Sequence, residues 1–365
     1  MIIRELTDYL EGFAPLAYQE SYDNCGLLVG SEETEITGAL IALDCTEAVV
    51  LEAINNNCNL IITHHPIVFS GLKKLNGNSY IERTVILAIQ HRIAIYAIHT
   101  NLDNVIAGVN AGIAQKLQLS RTQILAPKSL VLCKLVTFVP HEHINQVREA
   151  LSEAGAGKIG NYSDCSFSTA GTGTFKANDH ANPFVGEKNQ LHHEAESRLE
   201  LIFPQHLNRK MVAALKNSHP YEEVAYDIYP LLNENQDVGS GLIGYLPSAM
   251  LPNDFLSYVK QKMDLKLIKH TNSSVKSISK VAICGGAGSF LLKQAIAQKA
   301  DAYISADFKY HEFFDAENKL MIADIGHYES EKFTNSLIYE LILEKFPTFA
   351  ILLSKIDTNP VNYYF

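Results

Sequence analysis

Short apolar runs alternate with amphipathic stretches along the first third of the chain. Runs of Ile, Leu, Val and Ala bounded by polar or turn residues predict buried β-strands, and apolar residues recurring three and four positions apart predict helices. In chain order the predicted elements are a strand at 36–44, a helix at 46–57, a strand at 59–63, a helix at 80–91, a strand at 93–100 and a helix at 108–119. This alternation predicts a parallel or mixed sheet covered by helices.

The last third of the chain repeats this rhythm. The predicted strands at 277–284, 301–306 and 320–326 alternate with predicted helices at 290–300, 309–319 and 327–346. The sequence therefore predicts a second α/β half, again a mixed sheet flanked by helices.

The middle of the chain has a different texture from about residue 130 onward. Its predicted elements follow the order strand, helix, two strands, helix and strand, with a stretch rich in Ser, Thr and Gly at 161–175. That order is expected of a ferredoxin-like βαββαβ unit. The predicted fold class is therefore α/β, with an N-terminal half at 1–129, an inserted ferredoxin-like α+β domain at 130–233 and a C-terminal half at 234–365.

Composition narrows the class of protein. Of the 365 residues, 47% are hydrophobic and 19% are charged, which predicts a sizeable folded core. The net charge of -10 argues against a nucleic-acid partner, because binding a phosphate backbone requires clustered Lys and Arg. The six cysteines include no Cys-x-x-Cys pair, which predicts reduced thiols. The sequence shows neither a signal-peptide block nor an apolar run of the ~18 residues that a membrane span needs, so we expect a cytoplasmic protein with no membrane partner.

His64 and His65 follow a predicted strand and precede Pro66, in the segment LIITHHPIVF. In α/β sheets, ligands bind at the carboxyl ends of the strands. Adjacent residues of a regular strand point to opposite faces, so ending the strand here lets both imidazoles turn toward one cavity. The next strand delivers Asp103 to a comparable height, whereas His99, still within that strand, is expected to be packed or to lie behind the ligands.

His327 and Glu331 form a second candidate cluster. They lie four residues apart at the start of the last predicted helix, so they share one face. With His64, His65 and Asp103 they make five ligands that suit zinc, manganese or iron alike. Five protein ligands exceed what one catalytic zinc takes, and two divalent cations bridged by a shared carboxylate, at a typical spacing of ~3.5–4 Å, fit better. Taken separately, a His-His pair arises by chance and a His-x-x-x-Glu pair as a solvated helix face, so ligation must be decided by geometry.

Two further groups of residues are candidates for binding or catalysis. Gly285, Gly286 and Gly288, in CGGAGS, would hold an anion with backbone amides at the start of a helix, but a tight strand-to-helix turn explains them equally well. Asp307 and His311 follow another predicted strand and would act as acid/base groups or orient the metal ligands. The alternatives for this pair are a helix cap and a surface histidine.

Six segments, in this order, resemble the GTP cyclohydrolase I type 2 family, also called the NGG-interacting factor three family: SYDNCGLLVG, IITHHPIVFSGLKKL, IAIYAIHTNLD, CGGAGS, ISADFKYHEFFDA and IADIGHYESEKF. The resemblance spans both α/β halves. In that family the matching residues hold two divalent metals, which carries over onto His64, His65, Asp103, His327 and Glu331. One departure is Tyr22, where the family tends to have Trp.

The resemblance also implies an assembly and an activity. It implies two α/β domains with the metals between them, a toroidal homohexamer built from dimers, and an inserted domain similar to PII and CutA proteins. The implied reaction is metal-dependent hydrolysis of GTP, in which water attacks C8 of the guanine ring and formate is released. Another nucleotide-like or phosphorylated small molecule would use a similar metal pair. The alternative is a metal-containing regulatory or binding scaffold without catalytic activity.

Overall fold

The computed structural model describes residues 1–272 and 274–364, and the chain divides into two compact units. The larger unit comprises residues 1–126 and 237–365, and the smaller unit comprises residues 127–236. The two α/β segments of the sequence therefore belong to one compact unit. The three-part division at 130 and 233 stays a prediction.

Strands and helices are numbered in chain order. The strands are β1 (Gly26–Val29), β2 (Ala39–Ala42), β3 (Leu60–Thr63), β4 (Ala94–Ala97), β5 (Ser120–Lys128), β6 (Leu132–Pro140), β7 (Ser166–Lys176), β8 (Leu191–Pro204), β9 (Tyr226–Leu231), β10 (Asn235–Met250), β11 (Lys269–His270), β12 (Ile278–Ala287), β13 (Ala302–Ala306), β14 (Met321–Asp324) and β15 (Ile351–Leu353). The α-helices are α1 (Ile3–Phe13), α2 (Glu47–Asn55), α3 (Tyr80–Gln90), α4 (Thr100–Asp103), α5 (Val109–Lys116), α6 (Ile144–Glu153), α7 (Asn208–Ser218), α8 (Pro252–Lys262), α9 (Leu292–Ala297), α10 (His327–Glu331) and α11 (Thr334–Lys345). Short 3-10 helices lie at Leu16–Tyr18, His141–His143, Gln205–Leu207, Ser289–Leu291 and Tyr310–Ala316.

The first sheet of the larger unit has the strand order β1-β4-β3-β2-β15. Strands β4, β3, β2 and β15 run parallel, and β1 is antiparallel to β4. Every residue of β2, β3 and β4 is buried. Continuous apolar runs are typical of parallel strands that are covered on both faces, which is why the sequence shows these strands as short apolar blocks.

The second sheet of the larger unit has the strand order β11-β14-β13-β12-β10-β5. Strands β12, β13 and β14 are parallel, and β10 and β11 flank them in antiparallel pairings. The α/β prediction with mixed sheets flanked by helices is therefore confirmed.

Elements from the two ends of the chain complete the first sheet together. Ile338 and Ile342 of α11 are fully buried in the same core as Leu6 and Leu10 of α1, and β15 adds a strand beside β2. Conversely, β5 precedes the middle segment but belongs to the second sheet. This exchange of elements explains why both sheets lie in one compact unit.

The single helix predicted at 327–346 is two helices, α10 and α11. Lys332 and Phe333 between them keep right-handed helical backbone angles, so no extended linker separates the two helices. Glu331 of α10 lies close to His65 and His327, whereas Ile338 of α11 packs in the core of the first sheet. Apolar residues recur at helical spacing on both sides of the break, so the sequence pattern alone predicted one continuous helix.

The smaller unit has the element order strand, helix, two strands, helix, strand that the sequence predicts. Its sheet has the strand order β7-β8-β6-β9, and all three pairings are antiparallel. Leu199 and Leu201 of β8 pack with Val147 of α6 and Met211 of α7 in a core on one face of the sheet. In residues 1–272 and 274–364, no helix combines the length and apolar character needed to cross a membrane.

Candidate metal centre

The larger unit gathers polar side chains where strands of its two sheets end. β3 leads directly into His64 and His65, and β4 leads through His99 into α4, whose last residue is Asp103. On the second sheet, β14 leads into α10, which begins at His327 and ends at Glu331. The structure brings all five residues predicted as metal ligands into one cluster.

The first group in this cluster consists of His64, Asp103 and Glu331. Nδ1 of His64 lies 2.9 Å from the carbonyl oxygen of Ile98, and only a protonated nitrogen can donate to it. In the neutral ring, Nε2 of His64 then carries the lone pair, and it lies 3.6 Å from Oδ1 of Asp103 and 3.8 Å from Oε1 of Glu331. Within the described residues, neither His64 Nε2 nor Asp103 Oδ1 has a hydrogen-bond partner although both atoms are buried. A divalent cation fits these donors, because it would satisfy both atoms at once.

The second group consists of His65, His327 and Glu331. Oε2 of Glu331 lies 2.9 Å from Nε2 of His65 and 3.0 Å from Nε2 of His327, and the two nitrogens are 3.4 Å apart. The two carboxylate oxygens of Glu331 therefore face different groups. This arrangement fits two cations that share one carboxylate.

Each histidine of the cluster is held through its Nδ1 atom. Asp44 accepts from Nδ1 of His65 at 2.7 Å, and Asp307 accepts from Nδ1 of His327 at 2.6 Å. Metal-ligating histidines are commonly oriented by such acceptors, which leave Nε2 free for the metal. Asp307 was a sequence candidate for this role, and its backbone has a left-handed φ of 58°. Asp44 was not predicted, although it ends the strand predicted at 36–44 and so lies at the same edge of the sheet.

The neighbouring carboxylates raise the pKa values of His65 and His327. Burial alone would lower the pKa of His65, but the hydrogen bonds that its ring donates to Asp44 and Glu331 outweigh this and raise the pKa to about 10. Burial also opposes protonation of His327, but its hydrogen bond and charge interaction with Glu331, together with Asp307, raise the pKa to about 9. The carboxylates therefore favour positive charge at this place, whether it is a proton or a cation.

The pKa values of the two carboxylates of the first group shift in opposite directions. Burial raises the pKa of the Asp103 carboxyl above its ordinary value, and the nearby His64 only partly offsets this. Burial acts the same way on Glu331, but the hydrogen bonds that it accepts from His327 and His65 hold the pKa of Glu331 well below its usual range. Glu331, which is 2% exposed, is thus the anionic centre of the cluster.

His99, which was expected to lie within the strand and to be packed or behind the ligands, instead follows the end of β4 and immediately precedes α4. It forms a third possible donor group with His64 and His65. Its Nδ1 lies 2.9 Å from Oδ1 of Asp23, and the other oxygen of Asp23 accepts from the backbone amide of Thr100 at 3.0 Å. Burial opposes ionisation of Asp23, but the bonds from His99 and Thr100 lower its pKa strongly. Asp23 and His99 lie 76 residues apart, so no local sequence pattern links them.

The three glycines predicted to contact an anion lie beside the cluster. The amide of Gly285 donates to Oδ1 of Asn110 and that of Gly286 to Oγ of Ser330, each at 2.9 Å. A Cβ atom on Gly286 would collide with the carboxylate of Glu331, and one on Gly288 would collide with neighbouring side chains. The glycines thus let the chain pass close to the cluster. Because two of the amides are already engaged, this geometry argues against the predicted phosphate contact.

His311 lies apart from the cluster in the described structure. It sits in the 3-10 helix at Tyr310–Ala316, where its ring contacts are with Tyr310 and Phe314. It is not among the described residues that line the cavity next to the metal ligands. An acid/base role for His311 in this chain stays a prediction without support from the position of its side chain.

A cavity of about 780 Å³ opens onto the cluster, a volume typical of small-molecule sites. His65, Asp103, His327 and Glu331 line it together with Tyr22 and Phe69. The rings of Tyr22 and Phe69 have centroids 6.1 Å apart and are tilted by 33°, and both are largely exposed. The cavity thus combines polar ligands with aromatic rings that a planar group could contact.

The fold and the cluster together define a candidate metalloprotein of the α/β class. The sequence profile of the Duf34/NIF3 (NGG1p interacting factor 3) family matches residues 1–360, and the chain belongs to this family. It is 38% identical over 366 residues to the Bacillus subtilis protein named GTP cyclohydrolase 1 type 2 homolog, covering 99% of this chain and 98% of that protein. It is 40% identical over 359 residues to the protein of the same name from Halalkalibacterium halodurans, covering 97% and 96%.

A solved structure supports the fold. The crystal structure of a Bacillus cereus protein related to NIF3 superposes with a TM-score of 0.87 at 38% sequence identity, covering 100% of this chain and 99% of that one. The predicted resemblance to the NGG-interacting factor three family is therefore confirmed.

Proposed function

We propose that the protein is a metal-dependent hydrolase that uses two divalent cations held by His64, Asp103, His65, His327 and Glu331. The observation that carries this proposal is the pair of buried atoms His64 Nε2 and Asp103 Oδ1, which face each other at 3.6 Å without a hydrogen-bond partner in the described chain. Leaving such atoms unsatisfied costs about 1–3 kcal/mol each, so a cation between them would be strongly stabilised. The donor atoms suit zinc, manganese and iron alike, so the proposal does not depend on which of these metals is bound.

The side chains divide the work of such a site. His64 and Asp103 would hold one cation, His65 and His327 the other, and Glu331 would contact both through its separate oxygens. Bound cations would lower the pKa of a coordinated water and polarise the electrophilic atom of the substrate. Asp44 and Asp307 keep their histidines in the tautomer that presents Nε2, so they are positioning residues.

The substrate we propose is GTP or a similar nucleotide. The name of the relatives supports it, and the exposed rings of Tyr22 and Phe69 would stack against a planar base at the mouth of the cavity. A phosphorylated small molecule of another kind would fit the same cations less specifically. A regulatory scaffold that binds such a ligand without turnover is the alternative function.

The test is turnover of GTP by metal-loaded protein under anaerobic conditions, with formate and phosphate followed separately. Metal-dependent formate release that is lost in Glu331→Ala would support a cyclohydrolase. Release of phosphate without formate would contradict the cyclohydrolase activity and indicate a phosphohydrolase. Absence of both products from protein that retains two metals per chain would contradict hydrolysis of GTP and favour the scaffold.

We also propose, from the family resemblance, a cytoplasmic homohexamer built as a toroid of dimers, with a PII-like inserted domain. Light scattering coupled to size-exclusion chromatography measures the mass directly. A particle of six chains would support this assembly, and a monomer at micromolar concentration would contradict it.

A further inference from the structure

The smaller unit contains a cavity of its own, with a volume of about 660 Å³. On strand β8, Glu196 and Arg198 line this cavity, whereas Leu199 and Leu201 belong to the core beneath the helices. The cavity therefore lies on the face of the sheet that points away from that core. Its size is typical of a site for a small molecule.

A buried carboxylate lies in the wall of this cavity. Glu196 is 7% exposed, and Oη of Tyr221 donates a hydrogen bond of 2.8 Å to its Oε1 atom. Any Cβ atom on Gly173 of the neighbouring strand would collide with Oε2, so the glycine is what leaves room for the carboxylate. Burying a carboxylate is costly unless opposite charge or several donors compensate it. A cationic ligand would supply that compensation.

Three aromatic rings line the same cavity as this carboxylate. The ring of Tyr221, which holds Glu196, has its centroid 6.1 Å from that of Phe175 and 6.2 Å from that of Phe184. All three rings line the cavity. Cations are attracted to the faces of aromatic rings, and an ammonium ion placed near several rings and a carboxylate gains from both interactions.

Two basic side chains, Lys176 and Arg198, line the cavity, but the three carboxylates of Glu196, Glu222 and Glu223 line it as well, so the lining does not favour an anion. Nε of Arg198 lies 2.9 Å from Oε1 of Glu200, which is outside the cavity lining, so part of its charge is already engaged. An anionic ligand would also have to approach the buried carboxylate of Glu196. Electrostatic repulsion at short distance in a partly buried place makes that arrangement unfavourable.

We propose that this cavity binds a small organic ammonium ion, a primary amine or a quaternary ammonium compound. The charged nitrogen pairs with Glu196, and the apolar part of the ligand packs against Phe175 and Phe184. This site is separate from the metal cluster in its residues and in its chemistry, and it does not depend on the hydrolase proposal.

The test is a ligand-observed NMR titration of the full chain with benzylamine, which is protonated at pH 7, and with benzyl alcohol, its neutral analogue. We expect saturable binding of benzylamine that is at least about tenfold tighter than that of benzyl alcohol. Glu196→Gln keeps the shape of the side chain but should abolish this preference. Glu194→Gln, on the same strand and outside the cavity lining, is the matched control and should keep it.

A second variant keeps the proposal testable if Glu196→Gln does not fold, which thermal melting would reveal. Phe184 is 53% exposed, so Phe184→Leu should leave the fold intact while weakening benzylamine binding about threefold or more. Absence of saturable benzylamine binding, equal affinity for the two probes, or a preference that survives in Glu196→Gln would overturn the proposal. Tighter binding of inorganic phosphate than of benzylamine would also overturn it.

Discussion

The buried Nε2 of His64 lies 3.6 Å from Oδ1 of Asp103, and neither atom is hydrogen-bonded within the described part of the chain. Folding buries such atoms only at a cost, because each loses its bonds to water. Both therefore depend on a partner that the polypeptide does not supply. Glu331 turns one oxygen toward this pair and the other toward His65, so the expected partners are two cations.

Metal content should fall stepwise as single ligands are removed. We expect two Zn²⁺ per chain in wild-type protein after loading and desalting, and about one in Asp103→Asn or His327→Gln, because each variant leaves one donor group intact. Glu331→Gln should lose both tightly bound ions, since its carboxylate belongs to both groups. Elemental analysis by mass spectrometry gives the ratio directly.

The control for metal content is Glu329→Gln. Glu329 lies on α10 with Glu331, but its hydrogen-bond partners are Asn359 and Tyr363 rather than the ligands. It should retain two ions. Two tightly bound ions in Glu331→Gln would refute the shared role of that carboxylate.

Metal affinity should rise with pH. Without metal, His65 has a pKa of about 10 and His327 a pKa of about 9, so both rings are positively charged at pH 7. Each must lose one proton before its nitrogen can bind a metal. The apparent affinity should therefore increase by up to about tenfold per pH unit for each displaced proton and level off once pH exceeds these pKa values. Chelator competition at several pH values, corrected for protonation of the chelator, measures the slope. An affinity independent of pH would contradict the protonated state inferred for the metal-free site.

The aspartates behind the histidines should affect metal affinity more than stability. Asp44→Asn and Asp307→Asn remove the negative charge that orients Nδ1 of His65 and His327, so each should weaken metal binding by about 10–100-fold. The exposed Asp315→Asn serves as the control and should bind metal as wild type does. Unchanged affinity in both site variants would show that the two aspartates have no positioning role.

The last long helix should be essential to the core of the first sheet. Ile338 is fully buried with residues of α1 and β2, so Ile338→Ala should lower the free energy of unfolding by about 2–5 kcal/mol. Leu352→Ala, at a residue of β15 that is 41% exposed, should cost much less. Urea unfolding followed by circular dichroism compares the midpoints. Equal midpoints for the two variants would contradict the packing of α11 against the first sheet.

The metal ligands could be predicted because each lies next to a pattern that sequence reveals. His64 and His65 end an apolar run, and His327 and Glu331 share a face at the start of a helix. The contact between His99 and Asp23 could not be predicted, because it joins two parts of the chain that are 76 residues apart. The fold class followed from alternating periodicity, whereas the break before α11 and its packing on the first sheet depend on tertiary contacts that no local pattern records.

Anomalous diffraction from crystals loaded with Zn²⁺ is the most direct measurement of the two-cation site. We expect two peaks per chain, roughly 3.5–4 Å apart, with one near His64 and Asp103, the other near His65 and His327, and Glu331 between them. A single peak, or peaks that do not involve Glu331, would contradict the shared-carboxylate centre.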